Sequence, residues 1–246
     1  MTSSANLDLG RRSRLGMVEA VWGQHKRADQ IAAIVRDLVA AGETALVTRV
    51  SPGKAAAVAR LLAEGESPPP LTHHPQARCL TAPTLTQPDP QKGTVMIVTG
   101  GTSDQVVAQE ACLALQCHGI LTELVEDVGV AGLHRLLDRL AILQKASVLI
   151  VCAGMEGALP TVVAGLLPQP VIGVPISVGY GVSSGGTAAL QGMLASCAPG
   201  LSVVNIDNGY GAAMVALRIL NGRTGGSLHS LRDAEAGGRP STIPPS

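Results

Sequence analysis

Residues 94–104 read TVMIVTGGTSD, an apolar run of strand length followed by two glycines, two hydroxyl side chains and an aspartate. This order of apolar run, glycine-bearing turn and helical pattern then repeats four times. The predicted strands are Thr94–Thr99, Leu121–Glu126, Ser147–Cys152, Val171–Ile176 and Leu201–Ile206. The predicted helices are Asp104–His118, Leu133–Lys145, Gly157–Leu167, Thr187–Ser196 and Tyr210–Leu220. Five successive β-α units with nearly continuous apolar strands predict an α/β fold with a doubly wound parallel sheet of flavodoxin-like order.

Three further parts surround this main domain, which we place at residues 93–222. Residues 1–66 predict a small N-terminal α/β lobe. Its predicted elements are helix Ala28–Ala41, strand Thr44–Val50 and helix Gly53–Ala63. Proline occupies seven of the 24 residues from 67 to 90, so we expect an extended linker or a long surface loop over 67–92. Residues 223–246 contain too few apolar side chains to pack, which is typical of a frayed tail.

Composition excludes several classes of function. The 246 residues include 18 Lys+Arg and 18 Asp+Glu, so no basic surplus is available to neutralise a polynucleotide. No apolar run reaches the roughly 18 residues of a membrane-spanning helix, and the N-terminus lacks the apolar core of a signal peptide. Five cysteines without a CxxC pair argue against a disulfide framework and a structural zinc site. We therefore predict a cytoplasmic protein without nucleic-acid or membrane partners.

The stretch from Ala146 to Leu217 contains only two charged side chains, Glu156 and Asp207. Outer helices of a monomer normally present a charged face, whereas the predicted helix Thr187–Ser196 has none. We therefore expect a homo-oligomer with an extensive helical interface. Because charged side chains are so few in this stretch, the two carboxylates are candidates for a role in the chemistry of the protein.

Ligands of a doubly wound sheet bind beyond the carboxyl ends of its strands, where five predicted turns meet. The first turn holds Gly101, Thr102, Ser103 and Asp104. This turn either binds a phosphate at a helix N-terminus or only caps the helix through Ser103. The third turn, Gly154-Met155-Glu156-Gly157, either transfers a proton through its carboxylate or only places that carboxylate at a helix dipole.

The other three turns add polar and glycine residues to the same edge. The candidate ligand-binding residues are Asp127, His134 and Arg135 in the second turn, Ser177, Gly179, Tyr180 and Gly181 in the fourth, and Asn205, Asp207 and Asn208 in the fifth. The His–Arg pair either holds an anion or is an ordinary exposed pair, and the fourth turn either wraps a nucleotide or forms a mobile lid. Together the turns predict a nucleotide-type site. We expect no tightly bound cofactor; Asp104 or Asp207 is the candidate ligand if Mg²⁺ assists.

Several of these segments resemble the LarB family, the pyridinium-3,5-biscarboxylic acid mononucleotide synthases of nickel-pincer cofactor biosynthesis. The segments are GGTSD (100–104), VGVAGLHRLL (128–137), AGMEGALPTVV (153–163), PISVGYGVSSGG (175–186), SCAPG (196–200) and VVNIDNGYGAA (203–213). In the N-terminal lobe, the residues on the family's spacing are Asp8, Arg11, Arg14, Gly16, Glu19 and Lys26. The resemblance covers residues 6–221. A cyanobacterial circadian phase modifier is similar to the same family.

The resemblance implies a PurE-like main domain, an octamer and a reaction. In that reaction nicotinic acid adenine dinucleotide is carboxylated on its pyridinium ring by CO2 or bicarbonate and is hydrolysed to release AMP. Two other hypotheses stay open: an aminoimidazole ribonucleotide carboxylase or mutase, and a non-catalytic nucleotide-binding regulator of circadian phase. The departures from the family are Ile176 in place of a threonine and GVSSGG in place of a bulkier run at 181–186.

The family's nucleophilic cysteine matches Cys197, and Glu156 is our candidate for the base. Topology favours a different thiol, because Cys152 ends a predicted strand at the ligand edge whereas Cys197 precedes a strand. A neighbouring subunit would remove this conflict. In the lobe, Arg11 and Arg14 lie three residues apart, so they share one face if this stretch is helical. They either bind the substrate's anionic groups or form a solvated basic patch.

Overall fold

The computed structural model describes residues 5–65, 67–85 and 87–223, which contain two sheets. The larger sheet has five parallel strands in the order β6-β5-β7-β8-β9. Its strands are β5 (Thr94–Thr99), β6 (Leu121–Val125), β7 (Val148–Ala153), β8 (Val171–Pro175) and β9 (Leu201–Val203). This order confirms the doubly wound, flavodoxin-like sheet.

Helices cover both faces of the larger sheet. They are α4 (Gln105–Gln116), α5 (Leu133–Leu137), α6 (Leu140–Leu143), α7 (Leu159–Leu166), α8 (Thr187–Leu194) and α9 (Gly209–Arg223). Val95 and Ile97 of β5 pack into the core beneath α4 and α9, whereas Met96 and Val98 pack on the opposite face with α5 to α8. Burial on both faces explains why these strands are almost entirely apolar.

Most main-domain elements begin or end one to three residues from their predicted bounds, and two of them differ in a way that changes the element. The helix predicted over Leu133–Lys145 is two short helices, α5 and α6, separated at Asp138 and Arg139. The strand predicted over Leu201–Ile206 ends at Val203, because β9 is an edge strand that pairs with β8 over only three residues. No helix in the described ranges is both long and apolar enough to cross a membrane.

The N-terminal lobe has a mixed four-stranded sheet in the order β1-β2-β4-β3. Its strands are β1 (Ala20–Trp22), β2 (Ala45–Thr48), β3 (Thr72–His74) and β4 (Cys79–Ala82), and its helices are α1 (Arg11–Leu15), α2 (Ala28–Ala40) and α3 (Pro52–Ala63). Strands β1 and β2 are parallel, and β4 runs antiparallel to β2. The apolar faces of α2 and α3 close a separate core over this sheet.

The expectation that residues 67–92 contain no packed element is wrong, because β3 and β4 lie inside this stretch. Strand β4 is buried along its whole length and pairs with both β2 and β3. The prolines that suggested a linker lie outside these two strands, so none of them removes a hydrogen-bond donor from the sheet. The predicted tail at 223–246 lies, beyond Arg223, outside the described residues.

The lobe packs on the α4–α9 face of the main domain. Met17, Val18 and Leu46 belong to the same buried cluster as side chains of α4 and α9. His118, at the end of α4, accepts a hydrogen bond at Nε2 from the Val18 backbone N–H at 3.0 Å, while its Nδ1 lies 2.7 Å from the Ala114 carbonyl oxygen. A shared core and a buried hydrogen bond therefore fix the lobe on the α4–α9 face of the main domain.

Candidate active site

The predicted turns surround a cavity of about 540 Å³ at the carboxyl edge of the main sheet. Strands β5, β7 and β8 are adjacent, so the turns that follow them meet there. The predicted site residues that line the cavity are Gly101, Ser103, Asp104, Arg135, Gly154, Met155, Glu156, Gly179 and Tyr180. The other predicted site residues lie outside its wall, which consists of residues from the first four turns only.

In the first turn, the Asp104 side chain bonds to the backbone of the turn itself. Its Oδ2 accepts a hydrogen bond from the Gly101 backbone N–H at 2.9 Å, and the side chain is buried. Burial raises the pKa of this carboxyl. The Gly101 N–H is therefore engaged by Asp104, and the exposed Ser103 is the residue of this turn that can offer a hydroxyl to a ligand. Thr102 does not line the cavity.

The second turn contributes a cation. Arg135 lines the cavity and forms an ion pair with Asp127 at 2.7 Å. His134 is exposed and does not line the cavity. A Cβ on Gly129 would lie 2.6 Å from the Gly100 carbonyl oxygen, so only glycine allows the first and second turns to touch.

In the third turn, Glu156 is exposed at the cavity rim, and no hydrogen bond or ion pair engages its carboxylate within the described part of the chain. The turn is built tightly against its neighbours. A Cβ on Gly154 would lie 2.3 Å from the Val178 carbonyl oxygen, and Met155 adopts a positive φ of 54°. Such a strained, close-packed turn fixes the backbone of Glu156 beside the fourth turn, while its side chain stays exposed.

Helix α8, which precedes the Cys197 loop, packs on the backbone of this third turn. A Cβ on Gly192 of α8 would lie 2.2 Å from the Glu156 carbonyl oxygen, so the helix passes directly over the third turn. At the end of α8, the Ser196 hydroxyl accepts a hydrogen bond from Thr161, in the first turn of α7, at 2.8 Å. Ser196 also accepts the Ala198 N–H at 3.1 Å, which closes a turn around Cys197. The thiol is exposed and lies outside the cavity wall of the single chain.

Cys152 has the opposite environment. Its side chain is fully buried at the centre of the main sheet, on β7. Burial raises the pKa of this thiol far above its ordinary value, and the nearby carboxylates of Asp104 and Glu110 raise it further. Cys152 therefore has the properties of a small apolar core residue, which disfavours the thiolate that covalent catalysis requires.

The fifth turn is separated from this cavity. Asp207 accepts a hydrogen bond at Oδ1 from the Ser177 N–H at 2.8 Å, and both residues line a second cavity of about 340 Å³. Asn208 caps α9 by accepting the Gly211 N–H at 2.8 Å. Asn205 and Gly181 also line neither of the two cavities.

Sequence reasoning missed three residues of the second cavity, Arg49, Arg78 and Glu110. Arg49 donates a hydrogen bond to the Asp207 backbone carbonyl and lies 3.9 Å from the Glu110 carboxylate. Glu110 also accepts the Tyr210 N–H at 2.9 Å. The two arginines come from the lobe, and no motif in the sequence connects them with the main-domain turns.

The predicted pair Arg11 and Arg14 shares a helix, α1, as expected. Both guanidiniums bind Asp8, at 3.2 Å from Arg11 and 2.6 Å from Arg14. These contacts lower the pKa of the Asp8 carboxyl. Neither arginine lines either of the two cavities, and Arg11 bonds the Tyr210 side chain in addition to Asp8.

Asp104 and Asp207 do not form a common metal site. Asp104 lines the first cavity and Asp207 the second, and each already accepts a backbone N–H. Across the described ranges, no three side chains of His, Cys, Asp or Glu gather as metal ligands. The side chains therefore do not supply a preformed magnesium site by themselves.

Comparisons with known proteins cover both parts of the chain. The family model of AIR carboxylase matches residues 94–237, and that of the LarB/PurE-like N-terminal domain matches residues 1–84.

An uncharacterised protein from Methanocaldococcus jannaschii is 38% identical over 216 residues, covering 85% of this chain and 81% of that protein. The N5-carboxyaminoimidazole ribonucleotide mutase of that organism is 36% identical over 133 residues, covering 51% of this chain and 78% of the mutase. The phosphoribosylaminoimidazole carboxylase of Saccharomyces cerevisiae is 33% identical over 137 residues, covering 52% of this chain and 23% of that protein. The chain therefore belongs to the AIR carboxylase family, with a LarB/PurE-like N-terminal domain ahead of the carboxylase domain.

Proposed function

We propose that this chain is a LarB-type carboxylase and phosphoanhydride hydrolase. Its substrate is nicotinic acid adenine dinucleotide with CO2 or bicarbonate, and its products are pyridinium-3,5-biscarboxylic acid mononucleotide and AMP. The observation that carries this proposal is the packing of α8 over the Glu156 turn. Helix α8 contacts the backbone of Glu156, which lines the cavity, and the end of this helix ties the exposed Cys197 loop to the first turn of α7.

The chemistry explains why a thiol and a carboxylate are needed together. A pyridinium ring is electron-poor and cannot attack CO2. Addition of the Cys197 thiolate forms a C–S bond and converts the ring into a neutral enamine with a nucleophilic carbon. That carbon forms a C–C bond to CO2, Glu156 removes the proton from it, and the returning ring electrons expel the thiolate. The net change replaces one ring proton by a carboxylate.

The cysteine has to be ionised for the first step. Cys197 is exposed, and no Lys or Arg is close to it in the sequence. The positive charge of the substrate ring therefore has to favour the thiolate. Arg135 and Ser103 in the cavity wall are suited to the anionic groups of the same substrate, because guanidinium and hydroxyl groups both donate to phosphate and carboxylate oxygens.

The hydrolytic step needs a water molecule and no redox partner. Water adds to one phosphorus of the phosphoanhydride, and the bridging P–O bond breaks to release AMP. In this proposal Mg²⁺ is an assisting ion held mainly by the substrate's phosphates, as is usual for this cation. Asp104 or Asp207 is then a single protein contact to that ion.

We also propose that the working form is a homo-oligomer, an octamer by its resemblance to PurE-like proteins. Several apolar side chains around the cavity are exposed in the single chain: Val182 by 96%, Tyr180 by 77%, Leu194 by 66% and Val178 by 48%. Contact with a second copy would bury them and complete the wall near Cys197. Light scattering should give the mass of an oligomer at micromolar concentration, and a monomer would contradict this part of the proposal.

A second candidate function is that of an N5-carboxyaminoimidazole ribonucleotide mutase or an aminoimidazole ribonucleotide carboxylase. The identity to such a mutase over half of the chain favours it. This alternative leaves the exposed Cys197 turn without a role. It predicts turnover of aminoimidazole ribonucleotides and none of the pyridinium dinucleotide.

One incubation separates these functions. The pure protein is mixed with nicotinic acid adenine dinucleotide, labelled bicarbonate and Mg²⁺, and in parallel with aminoimidazole ribonucleotide. Label in a pyridinium mononucleotide, with an equal amount of AMP, is the result we expect. Label only in the imidazole product would establish the alternative. Binding of the dinucleotide without any turnover would instead favour a regulator, such as one that influences circadian phase.

A further inference from the structure

The cavity between the lobe and the main domain has no role in the carboxylation steps. Its walls come from both parts of the chain: Gln24, Arg49 and Arg78 from the lobe, and Glu110 and Asp207 from the main domain. Its volume, about 340 Å³, lies within the range of small-ligand pockets. The lobe therefore adds a compartment that the main sheet does not form by itself.

The backbone around this cavity is strained at three non-glycine positions. Arg49, Arg78 and Asp207 adopt positive φ angles of 57°, 52° and 54°. The structure holds them there with short hydrogen bonds: the Val50 N–H donates to the Arg78 carbonyl oxygen at 2.7 Å, and the Asp207 N–H to the Pro175 carbonyl oxygen at 2.9 Å. Such conformations cost free energy and persist only where the surrounding fold maintains them. They are concentrated at active sites and ligand sites.

The charged side chains of the second cavity differ in the hydrogen bonds and ion pairs that they already form. Arg49 is held by the Asp207 carbonyl and Glu110, and Asp207 accepts the Ser177 N–H. Burial raises the pKa of the Glu110 carboxyl, which accepts the Tyr210 N–H and lies beside Arg49. Arg78 is exposed, and no described side chain forms a hydrogen bond or an ion pair with its guanidinium. Arg78 is therefore the cation that is available to a ligand.

The two cavities share a wall. Ser103 and Val178 line both of them, so a ligand longer than one nucleotide can lie across this wall. We propose that the second cavity binds the nucleoside monophosphate half of the dinucleotide, with Arg78 on its phosphate and Gln24 near its sugar or base. This inference rests on the proposed function. In this arrangement the phosphoanhydride lies over Ser103. The N-terminal lobe is then the part of the chain that selects a dinucleotide.

Isothermal titration of the full-length protein with AMP tests this site. We expect AMP to bind, Arg78→Met to weaken its binding at least tenfold, and Arg78→Lys to restore part of the affinity. Nicotinic acid mononucleotide should bind all variants equally. Arg60→Met, which removes an exposed arginine from α3, is the matched control and should leave AMP binding unchanged.

Three results would overturn the assignment: equal AMP affinity in Arg78→Met, equal weakening of both mononucleotides, or inorganic phosphate binding as tightly as AMP. Failure of this subsite assignment can be distinguished from failure of the proposed function. If the dinucleotide is carboxylated with an unchanged KM in Arg78→Met, the subsite is wrong and the function stands. If Arg78 governs AMP binding but no carboxylation occurs, the subsite stands and the proposed reaction is wrong.

Discussion

Cys152 and Cys197 lie in two regions that differ in almost every property that matters for a nucleophile. Cys152 is the penultimate residue of the central strand β7, where neighbouring strands and helices on both faces leave its thiol fully buried. Cys197 lies in a loop before the edge strand β9, and its thiol is exposed. Position at the carboxyl edge of a strand therefore does not by itself give access to a ligand.

The loop of Cys197 also has a contact that topology does not reveal. In a doubly wound sheet, a residue that precedes a strand belongs to the edge opposite the ligand site. Helix α8 changes this expectation, because it passes over Glu156 and ends with Ser196 bonded to Thr161 at the start of α7. The comparison shows that strand order alone does not determine which thiol is accessible, because Cys152 is buried and Cys197 is exposed.

The largest expected effect is that of Cys197→Ser. We expect carboxylation to fall by on the order of 10³-fold or more, because a hydroxyl is far less ionised than a thiol near neutral pH and cannot replace the nucleophile. The matched control is Cys152→Ser, which should keep full activity per folded protein and lose stability through its buried hydroxyl. Steady-state rates and urea unfolding measure the two effects, and the opposite pattern would exchange the roles of the two cysteines.

Glu156→Gln should lower carboxylation by about 10²–10⁴-fold, the usual contribution of a general base. The thiol should still add to the ring in this variant, because the amide affects only the later proton removal. A single-turnover experiment that follows ring absorbance and product separately checks this. A variant that neither adds the thiol nor forms product would show that Glu156 has another role.

Gly192→Ala tests whether the packing of α8 over the third turn positions the loop. The new methyl group would lie 2.2 Å from the Glu156 carbonyl oxygen, so we expect a loss of about 1–3 kcal/mol in unfolding free energy and a lower rate. Gly165→Ala is the control, because no atom lies within 4 Å of its new methyl group. That control should gain about 0.5–1 kcal/mol. Equal stability of the two variants would disprove the close contact.

Thr161→Val should have the smallest effect. It removes the hydroxyl that donates to Ser196 and keeps the shape of the side chain, at a cost of about 1 kcal/mol. If this bond positions the Cys197 loop, kcat/KM should fall about fivefold in addition to this loss of about 1 kcal/mol in unfolding free energy. An unchanged rate with reduced stability would mean that the bond serves folding only.

Much of the main domain was predictable from the sequence because its signals are local. Apolar runs of five or six residues between glycine turns specify buried parallel strands, and the structure contains all five. Strands β3 and β4 were missed because the prolines around them dominate the composition, although none lies inside a strand.

The site was predictable only in part. The turns after β5, β6 and β7 meet because adjacent parallel strands end together, so Ser103, Arg135 and Glu156 could be placed at one cavity. Arg49 and Arg78 could not, because their contribution depends on how the lobe docks through contacts such as Val18 to His118. The contact of Gly192 with Glu156 is likewise a tertiary packing result that no local pattern encodes.

The most direct test of the central claim is the native mass spectrum of three proteins with the dinucleotide: Glu156→Gln, Glu156→Gln/Cys152→Ser and Glu156→Gln/Cys197→Ser. All three are incubated with substrate and bicarbonate under conditions that keep a reversible thiol adduct intact. We predict a covalent adduct on the first two proteins and none on the third. An adduct that persists without Cys197 and disappears without Cys152 would show that the buried strand end, and not the exposed loop, carries the nucleophile.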